Sequence, residues 1–461
     1  MTATTAPPGR FTRAVTLGVI LVVQLMVILD GTIVNVALPT IRTELEVSPA
    51  TLSWVLNGYA IAFGGLLLLG GRLGDAFGFR STFVVGNLVF VAASLLGGLA
   101  PNHEVLIAAR VLQGVGSALA APAVLALLTI GAVDDADRHR RLALFSLVAA
   151  AGGTVGLILG GLLTESISWR WTLFVNVPIG LVAVALAPRF LPDTDRSPGR
   201  FDVAGAVTGT LGAAALVNAL ISAADHGWTA GRTLASALVA AIAIVGFVLQ
   251  EQHTPSPLVR LGLLTERSRA GALLNAAILV GGQMSMFFLL VLLLQQQLGF
   301  SPLQTGVAFV PLTFMIFVGS RLAPRLVERF DPRSLMIVGS LGVAASMLVF
   351  SLDVHAPAYW PLVVGGLVVN GASISMLFMP GMAVALRDVP AGDTGAVSGV
   401  VQTAQQVGGA LGFAVIVGTY TAGNDAGPVP DGMSTAFGVA AAMAVLAAGA
   451  AAVVRRRVSD A

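Results

Sequence analysis

The sequence predicts an all-α integral membrane protein, and three observations support this fold class. Of the 461 residues, 56% are hydrophobic and only 10% are charged, whereas a soluble domain carries about 25% charged residues. The mean hydropathy of +0.89 is too high for a chain that must cover itself with a water-compatible surface. Apolar stretches of about 20 residues recur along the whole chain, which indicates membrane-spanning helices rather than the alternating strands of a barrel.

Hydropathy windows of about 19 residues predict about fourteen membrane spans. In order, they cover residues 14–38, 51–71, 81–100, 104–131, 142–164, 172–190, 203–223, 232–250, 270–297, 303–320, 334–352, 360–385, 395–420 and 434–454. If the amino end is cytoplasmic, most of the 25 basic residues, all of them arginine, fall in cytoplasmic loops. This asymmetry follows the positive-inside rule. It predicts that both termini are cytoplasmic.

Two polar, proline-containing segments lie near the middle of the chain and have the composition of linkers. They bracket two spans and leave six spans on either side. We therefore expect an N-terminal six-helix bundle in residues 1–191, two linker transmembrane helices with their loops in 192–265, and a C-terminal six-helix bundle in 266–461.

A weak internal repeat relates the two halves. Residues 71–80 (GRLGDAFGFR) follow the second span of the first half, and residues 326–333 (LVERFDPR) follow the second span of the second half. Repeated halves with a binding site between them near the bilayer midplane are a common plan of transporters.

Composition also argues against several function classes. The chain has no cysteine, its five histidines fall in predicted loops without metal-ligand spacing, and its formal net charge is only +2. These features predict no disulfide, no metal site, no cofactor and no nucleic-acid partner. No cluster of nucleophiles or acid–base groups lies in or near a span, so we do not expect an enzyme. The partners we expect are a small-molecule substrate, protons and the lipid bilayer, with the chain acting as a monomer.

Asp30 is the only ionisable residue in the apolar residues 14–38. A charge at that depth costs about 2.5–3.5 kcal/mol on insertion scales, so it needs a partner, a proton or a function. Arg110 lies in the fourth span, and each residue is about nine positions, roughly 13 Å, from the outer end of its helix. The equal depth allows an ion pair that forms and breaks with protonation. The alternative is a permanent salt bridge that only holds helices together.

The fourth span has one polar or small face. Arg110, Gln113, Gly114, Ser117 and Ala121 follow each other at helical spacing. Lipid cannot satisfy these groups, so the face is expected to point into the bundle.

Several motifs, in order, resemble the fourteen-helix drug:proton antiporter family of the major facilitator superfamily. They are residues 29–39 (LDGTIVNVALP), Trp54 with Tyr59, residues 71–80, residues 110–116 (RVLQGVG), residues 168–180 (SWRWTLFVNVPIG) and residues 395–412. The resemblance covers essentially the whole chain. It implies the major facilitator fold, a bacterial cytoplasmic membrane location and proton-coupled export of small lipophilic molecules, such as drugs, antibiotics or secondary metabolites, by alternating access.

The resemblance also implies roles for particular residues. Asp30 and Arg110 would couple to protons, and Asp75 would act as a conformational latch, capping a neighbouring helix or pairing with Arg80. The alternative for Asp75 is a loop charge that sets topology. Leu157 replaces the proline of the family's fifth-helix signature, so the direction of coupling stays open. The alternative function is a proton-coupled importer or uniporter of a metabolite, or a lipid transporter.

The remaining candidate residues form two sets. The conformational set contains Gly71, Asp75, Arg80, Gly152, Gly156, Gly160, Glu328 and Arg333. Its three glycines from 152 to 160 let helices approach closely, for which packing or a pivot is favoured over ligand contact. The substrate-binding set contains Asn57, Tyr59, Gln113, Gln283, Phe287, Gln402 and Gln406. The glutamines of the thirteenth span either line a cavity or bond to neighbouring helices.

Methionine and phenylalanine side chains near Gln283 suit an adaptable apolar pocket, although each alone is better explained as core or lipid-facing. They are Met284, Met286, Phe287, Phe288, Phe309, Phe314, Met376, Phe378 and Met379. For Asp30, we expect a position inside the bundle with an aqueous route to the side chain.

Overall fold

A computed structural model describes most of the chain. The described residues are 10–130, 134–193, 202–255, 257–258, 262, 266–354, 358–387, 389, 394–426 and 429–455. The described part is helical and contains no strand. Parts of both predicted linker segments, and the first nine residues, lie outside the described residues.

The first nine helices include the linker pair. They are α1 (Arg10–Glu44), α2 (Pro49–Phe77), α3 (Phe79–Gly98), α4 (His103–Ile130), α5 (Asp135–Ser166), α6 (Trp171–Phe174), α7 (Asn176–Phe190), α8 (Val203–His226) and α9 (Gly231–His253). The remaining helices are α10 (Arg267–Leu292), α11 (Pro302–Ala308), α12 (Val310–Arg329), α13 (Pro332–Asp353), α14 (Val364–Ser375), α15 (Phe378–Ala385), α16 (Thr394–Ala426) and α17 (Val429–Ala452).

The fourteen predicted spans correspond to helical segments in the structure. Within the described residues, thirteen segments are long and apolar enough to cross a membrane, and the 32-residue α5 occupies the remaining predicted position. Three predicted spans are made of shorter pieces. The sixth is α6 followed by α7, the tenth is α11 followed by α12, and the twelfth is a π-helical turn followed by α14 and α15.

Local sequence explains where helices begin and turn. Ser48 accepts a hydrogen bond from the backbone N–H of Thr51 and Pro49 follows it, which is a favourable start for α2. Ser301 and Gln304 form a reciprocal capping box at the start of α11. Between α2 and α3, Gly78 has φ +90°, a conformation that a side chain would strain.

The bundle has one end at which α1 meets α2, which the arginine distribution predicts to face outward, and an opposite inner end. Near the predicted outer end, α5 contacts α11, where Gly161 lies against the backbone of Pro302. The Gln295 side chain also donates to the carbonyl of Val36 in α1 over 3.0 Å. Helix α2 contacts α16, and Thr403 donates to the Gly64 carbonyl over 3.0 Å. These contacts join the predicted N-terminal and C-terminal halves.

The linker pair lies beside this second contact. Helices α8 and α9 pack on each other, and α8 also packs on α2 and α16. The side chain of Asp202 caps α8 by accepting the backbone N–H of Gly205 over 2.7 Å. The linker helices therefore cover the side of the bundle where α2 meets α16. The exact domain boundaries at 191/192 and 265/266 stay a prediction.

Candidate functional site

Asp30 and Arg110 form a buried ion pair between α1 and α4. The Nη1 of Arg110 lies 2.5 Å from Oδ2 of Asp30, and the exposures of the two side chains are 1% and 0%. The Nε of Arg110 donates to the carbonyl of Val55 in α2 over 2.9 Å. The guanidinium therefore connects three helices in the predicted N-terminal half.

Two amides complete the surroundings of the carboxylate. Asn176 and Gln113 each donate to Oδ1 of Asp30, over 2.9 Å and 3.0 Å. The other oxygen is taken by Arg110, so the three residues that bond to Asp30 all donate. This is the environment of an ionised carboxylate, which can only accept. Asn176 was missed as a partner of Asp30, although it belongs to the motif at residues 168–180.

Further contacts hold Arg110 and Gln113 in place. Gln113 accepts from Nη1 of Arg110 over 2.8 Å and donates to the hydroxyl of Ser94 over 2.8 Å. The guanidinium carbon of Arg110 lies 4.5 Å from the centre of the Tyr59 ring. The Tyr59 hydroxyl in turn forms a 3.0 Å hydrogen bond with Ser117. The polar face predicted for the fourth span therefore points into the bundle, as a connected network.

A central cavity of about 320 Å³ lies next to this network. Its walls come from α1, α10, α14, α15 and α16, and it extends to Ala272 and Ala385, close to the predicted inner ends of α10 and α15. Gly31 lines the cavity, but its neighbour Asp30 does not and has no exposed surface. The aqueous route expected for Asp30 is thus closed in this conformation. Among the described residues, no group of His, Cys, Asp or Glu is placed to hold a metal ion.

The structure separates the predicted substrate-binding residues into two groups. Gln283 and Phe287 line the cavity. The other five do not line it in this conformation: Asn57, Tyr59, Gln113, Gln402 and Gln406. The first three of these are buried in the N-terminal half, Gln402 is exposed, and Gln406 packs against Gly64 in α2.

Gln405, which was not among the predicted substrate residues, is the glutamine of α16 that lines the cavity. Three of the methionine and phenylalanine candidates, Met284, Phe287 and Phe378, also line it. Phe309 instead lies behind Phe287, with ring centres 5.2 Å apart and no exposed surface. Phe314 is 62% exposed on the outside of α12, which suits a lipid-facing residue.

The predicted pair of Asp75 with Arg80 is wrong. Arg80 forms a 2.8 Å ion pair with Asp193, which follows the end of α7. Asp75 is exposed near the end of α2, and Gly71 is half-buried, with Pro122 of α4 as its neighbour. The corresponding residues of the second half are also near the surface. Glu328 is exposed at the end of α12 and Arg333 is half-buried at the start of α13.

The three glycines of α5 pack on α1 and do not contact the cavity. A Cβ on Gly152 would meet Ile28, one on Gly156 would meet Thr32, and one on Gly160 would meet the carbonyl of Ile33. On the other side of α5, the carbonyl of Leu157 lies against Gly306 in α11. Leu157 therefore stands at the contact between the two halves, buried at 2% exposure.

Comparisons with known proteins agree with this architecture. The family model described as Major Facilitator Superfamily matches residues 20–413 and, in a second match, residues 273–460. The crystal structure of a peptide transporter, POT in complex with sulfate, superposes with a TM-score of 0.74 at 16% identity, covering 98% of this chain and 96% of that one. At that identity, the superposition shows the fold alone.

Sequence relatives are more similar. The puromycin resistance protein pur8 of Streptomyces alboniger is 40% identical over 442 residues, which cover 93% of this chain and 87% of that protein. The cephamycin export protein CmcT of Amycolatopsis lactamdurans is 37% identical over 412 residues, covering 87% of this chain and 84% of that protein. The chain therefore belongs to the major facilitator superfamily, as a membrane transporter of its fourteen-helix drug antiporter family.

Proposed function

We propose that the chain is a proton-driven exporter of small, mainly lipophilic molecules such as drugs, antibiotics or secondary metabolites. The ion pair between Asp30 and Arg110 carries the proposal, because a buried intramembrane carboxylate with a specific partner is a functional group by default. The resistance and export roles in the names of the relatives support the outward direction. The protein would act as a monomer in the bacterial cytoplasmic membrane, with both termini in the cytoplasm.

The described conformation fits one stage of an alternating-access cycle. The carboxylate of Asp30 is surrounded by donors, the central cavity extends toward the predicted inner end, and α5 contacts α11 near the predicted outer end. These features suit the stage after the proton has left to the cytoplasm and before substrate has crossed. Substrate would then occupy the cavity, and the two halves would rock to open the outer end.

Protonation of Asp30 needs a movement of the protein, because the side chain has no exposed surface here. Once the carboxyl is neutral, Arg110 still has the Val55 carbonyl, the Gln113 amide and the ring of Tyr59 as partners. Breaking a buried pair is costly mainly when the remaining charge is left uncompensated. The retained partners therefore make a pair that opens and closes with the proton energetically feasible.

One proton is sufficient as a driving force. Its movement through a potential of 100 mV supplies about 2.3 kcal/mol, and each pH unit supplies about 1.4 kcal/mol more. Together these energies support a gradient of roughly a few hundred-fold for a neutral substrate. The exchange of one proton for one substrate molecule therefore needs no second carboxylate within the membrane.

The test is transport in proteoliposomes with an imposed pH gradient. Asp30→Asn should abolish gradient-driven transport while the folded protein remains in the membrane. The control is Glu104→Gln, which neutralises an exposed carboxylate at the start of α4 and should transport normally. Gradient-driven transport by Asp30→Asn at the wild-type rate would remove Asp30 from the mechanism. Substrate that accumulates on the cytoplasmic side would instead support the importer alternative.

A further inference from the structure

The polar side chains of the central cavity share one property, the direction of their hydrogen bonds. The cavity lining contains no Asp, Glu, Arg or His among the described residues, and its polar members are Thr32, Asn35, Asn275, Gln283 and Gln405. In the first four, the hydrogens are already donated to the protein. These four side chains therefore offer a ligand their oxygen atoms, which accept hydrogen bonds.

On α1, two cavity residues donate to their own helix. Both bonds of the Asn35 amide nitrogen go to backbone carbonyls, of Gly31 over 3.1 Å and of Thr32 over 3.2 Å. A backbone carbonyl can only accept, so the orientation of this amide is fixed. Its Oδ1 has no protein donor among the described residues. The hydroxyl of Thr32 likewise donates to the carbonyls of Ile28 and Leu29, over 3.2 Å and 3.1 Å.

On α10, the Asn275 amide is oriented in the same way. Its nitrogen donates to the carbonyl of Ala447 over 2.8 Å and to the hydroxyl of Ser340 over 2.9 Å. Since the Ala447 carbonyl cannot donate, the amide cannot turn round without losing this bond. The Oδ1 of Asn275 takes no hydrogen bond within the described residues.

The orientation of Gln283 is set by a relay of three side chains. Ser346 donates to the backbone carbonyl of Val343 over 2.7 Å, so its oxygen is free to accept from Asn370 over 2.9 Å. Asn370 then accepts from the amide nitrogen of Gln283 over 2.8 Å, and the same nitrogen donates more weakly to the sulfur of Met286 over 3.8 Å. The relay starts at a backbone carbonyl, so each member has a fixed direction. It leaves Oε1 of Gln283 buried without a partner.

We propose that the central cavity selects lipophilic molecules that offer N–H or O–H donors, including ammonium groups, and discriminates against carboxylates and phosphates. Oriented amide oxygens are the negative ends of dipoles, and an unpaired buried acceptor is satisfied only by a donor. Gln405 makes no hydrogen bond with the described residues and can present either end of its amide, so the selection rests on the other four. The proposal depends on the proposed function, because it names the substrate class of the same cavity.

The test compares three ligands on one biphenyl scaffold: para-phenylphenol, its methyl ether and biphenyl-para-carboxylate. Binding is measured to the purified full chain in lipid nanodiscs, with empty nanodiscs subtracting the partition of each ligand into lipid. The phenol should bind about fivefold more tightly than the ether, the effect of one hydrogen bond. The carboxylate should bind most weakly of the three.

Two variants show whether the cavity causes this preference. Gln283→Met and Asn35→Leu should each lower the ratio of the affinity for the phenol to the affinity for the ether toward one. The hydrogens of Asn35 go only to its own helix, so Asn35→Leu keeps the test available if Gln283→Met does not fold. The matched control is Gln252→Met, at an exposed position near the end of α9 and outside the cavity lining, which should keep the wild-type affinity ratio.

A wild-type protein that binds the ether or the carboxylate as tightly as the phenol, or that does not bind the phenol, would overturn the proposal. The binding measurement needs no pH gradient. A donor preference without proton-driven transport would therefore reject the proposed function alone. Proton-driven transport without a donor preference would reject the inference alone.

Discussion

Glu165 at the end of α5 accepts the backbone N–H of Leu303 at the start of α11 over 2.9 Å. The bond joins the predicted N-terminal and C-terminal halves at the predicted outer end. A hydrogen bond to the Ser301 side chain, with the bond from Leu303, lowers the pKa of the Glu165 carboxyl below its ordinary value of 4.5. The contact is therefore stronger with the charged carboxylate. This extra strength is fully present above that ordinary value and is lost as the pH falls through the lowered pKa.

We predict that Glu165→Gln shifts the protein toward opening at the outer end. The chain has no cysteine, so spin labels placed by Leu99→Cys and Leu352→Cys report on one distance only. Both positions are exposed near the predicted outer ends of α3 and α13. In double electron–electron resonance, the long-distance population should increase in Glu165→Gln at neutral pH. Strong acid should have the same effect on the wild type.

Glu104→Gln is the matched control for that measurement, since its carboxylate lies on the exposed start of α4, where its one ion-pair partner among the described residues is the neighbouring His103. It should leave the distance distribution unchanged. An unchanged distribution in Glu165→Gln would show that this bond does not hold the outer end closed.

A second prediction concerns Asn176, whose side chain donates to Asp30. Asn176→Leu removes one of the donors that favour the charged carboxylate, while the ion pair with Arg110 stays in place. Such a loss is worth about 1–3 kcal/mol. The rate of proton-driven export should therefore depend on the external pH differently from that of the wild type. A pH–rate profile that matches the wild type would show that Asn176 does not influence the proton site.

The sequence alone predicts that Asp30 and Arg110 lie close together, but it does not predict that Asn176 also contacts Asp30. Charges in apolar spans are rare, so the equal depth of the two residues along α1 and α4 identifies the pair. Asn176 lies at the start of α7, directly after the break that separates it from α6. Its contact with Asp30 depends on how α7 packs against α1, which residue spacing within a single span does not predict.

Side-chain partners that depend on tertiary packing also could not be predicted from the sequence. Pairing with Arg80 is one of the two contacts that the sequence predicts for Asp75, but the partner of Arg80 is Asp193, which is 113 positions away in the chain. In α16, helical spacing put several glutamines on one face. Which of them reaches the cavity depends on the packing of α16: Gln406 lies against Gly64 in α2, whereas Gln405 lines the cavity.

The third prediction separates a structural from a functional role of the ion pair. Arg110→Gln alone should be strongly destabilised, by about 3–5 kcal/mol, because it leaves the Asp30 carboxylate buried without its counter-charge. Adding Asp30→Asn removes that charge and should restore most of the stability. Thermal unfolding of the three proteins in detergent measures these differences.

The double variant should nevertheless have no proton-driven transport, because neither residue titrates. If the pair were only a permanent salt bridge, the folded double variant would transport like the wild type. The double variant therefore decides between the two interpretations of this pair that the sequence left open.

The last prediction tests the contact between α5 and α1. In Gly160→Ala, the new Cβ would overlap the backbone carbonyl of Ile33, and a backbone atom cannot move aside as a flexible side chain can. Overpacking of this kind costs about 1–3 kcal/mol, so the thermal midpoint should fall. Gly153 lies on the same helix and has nothing within 4 Å of its added Cβ. Gly153→Ala should therefore be neutral or slightly stabilising, since alanine favours helix more than glycine does. Equal losses in both variants would mean that the close approach of α5 to α1 at Ile33 does not cause the loss in Gly160→Ala.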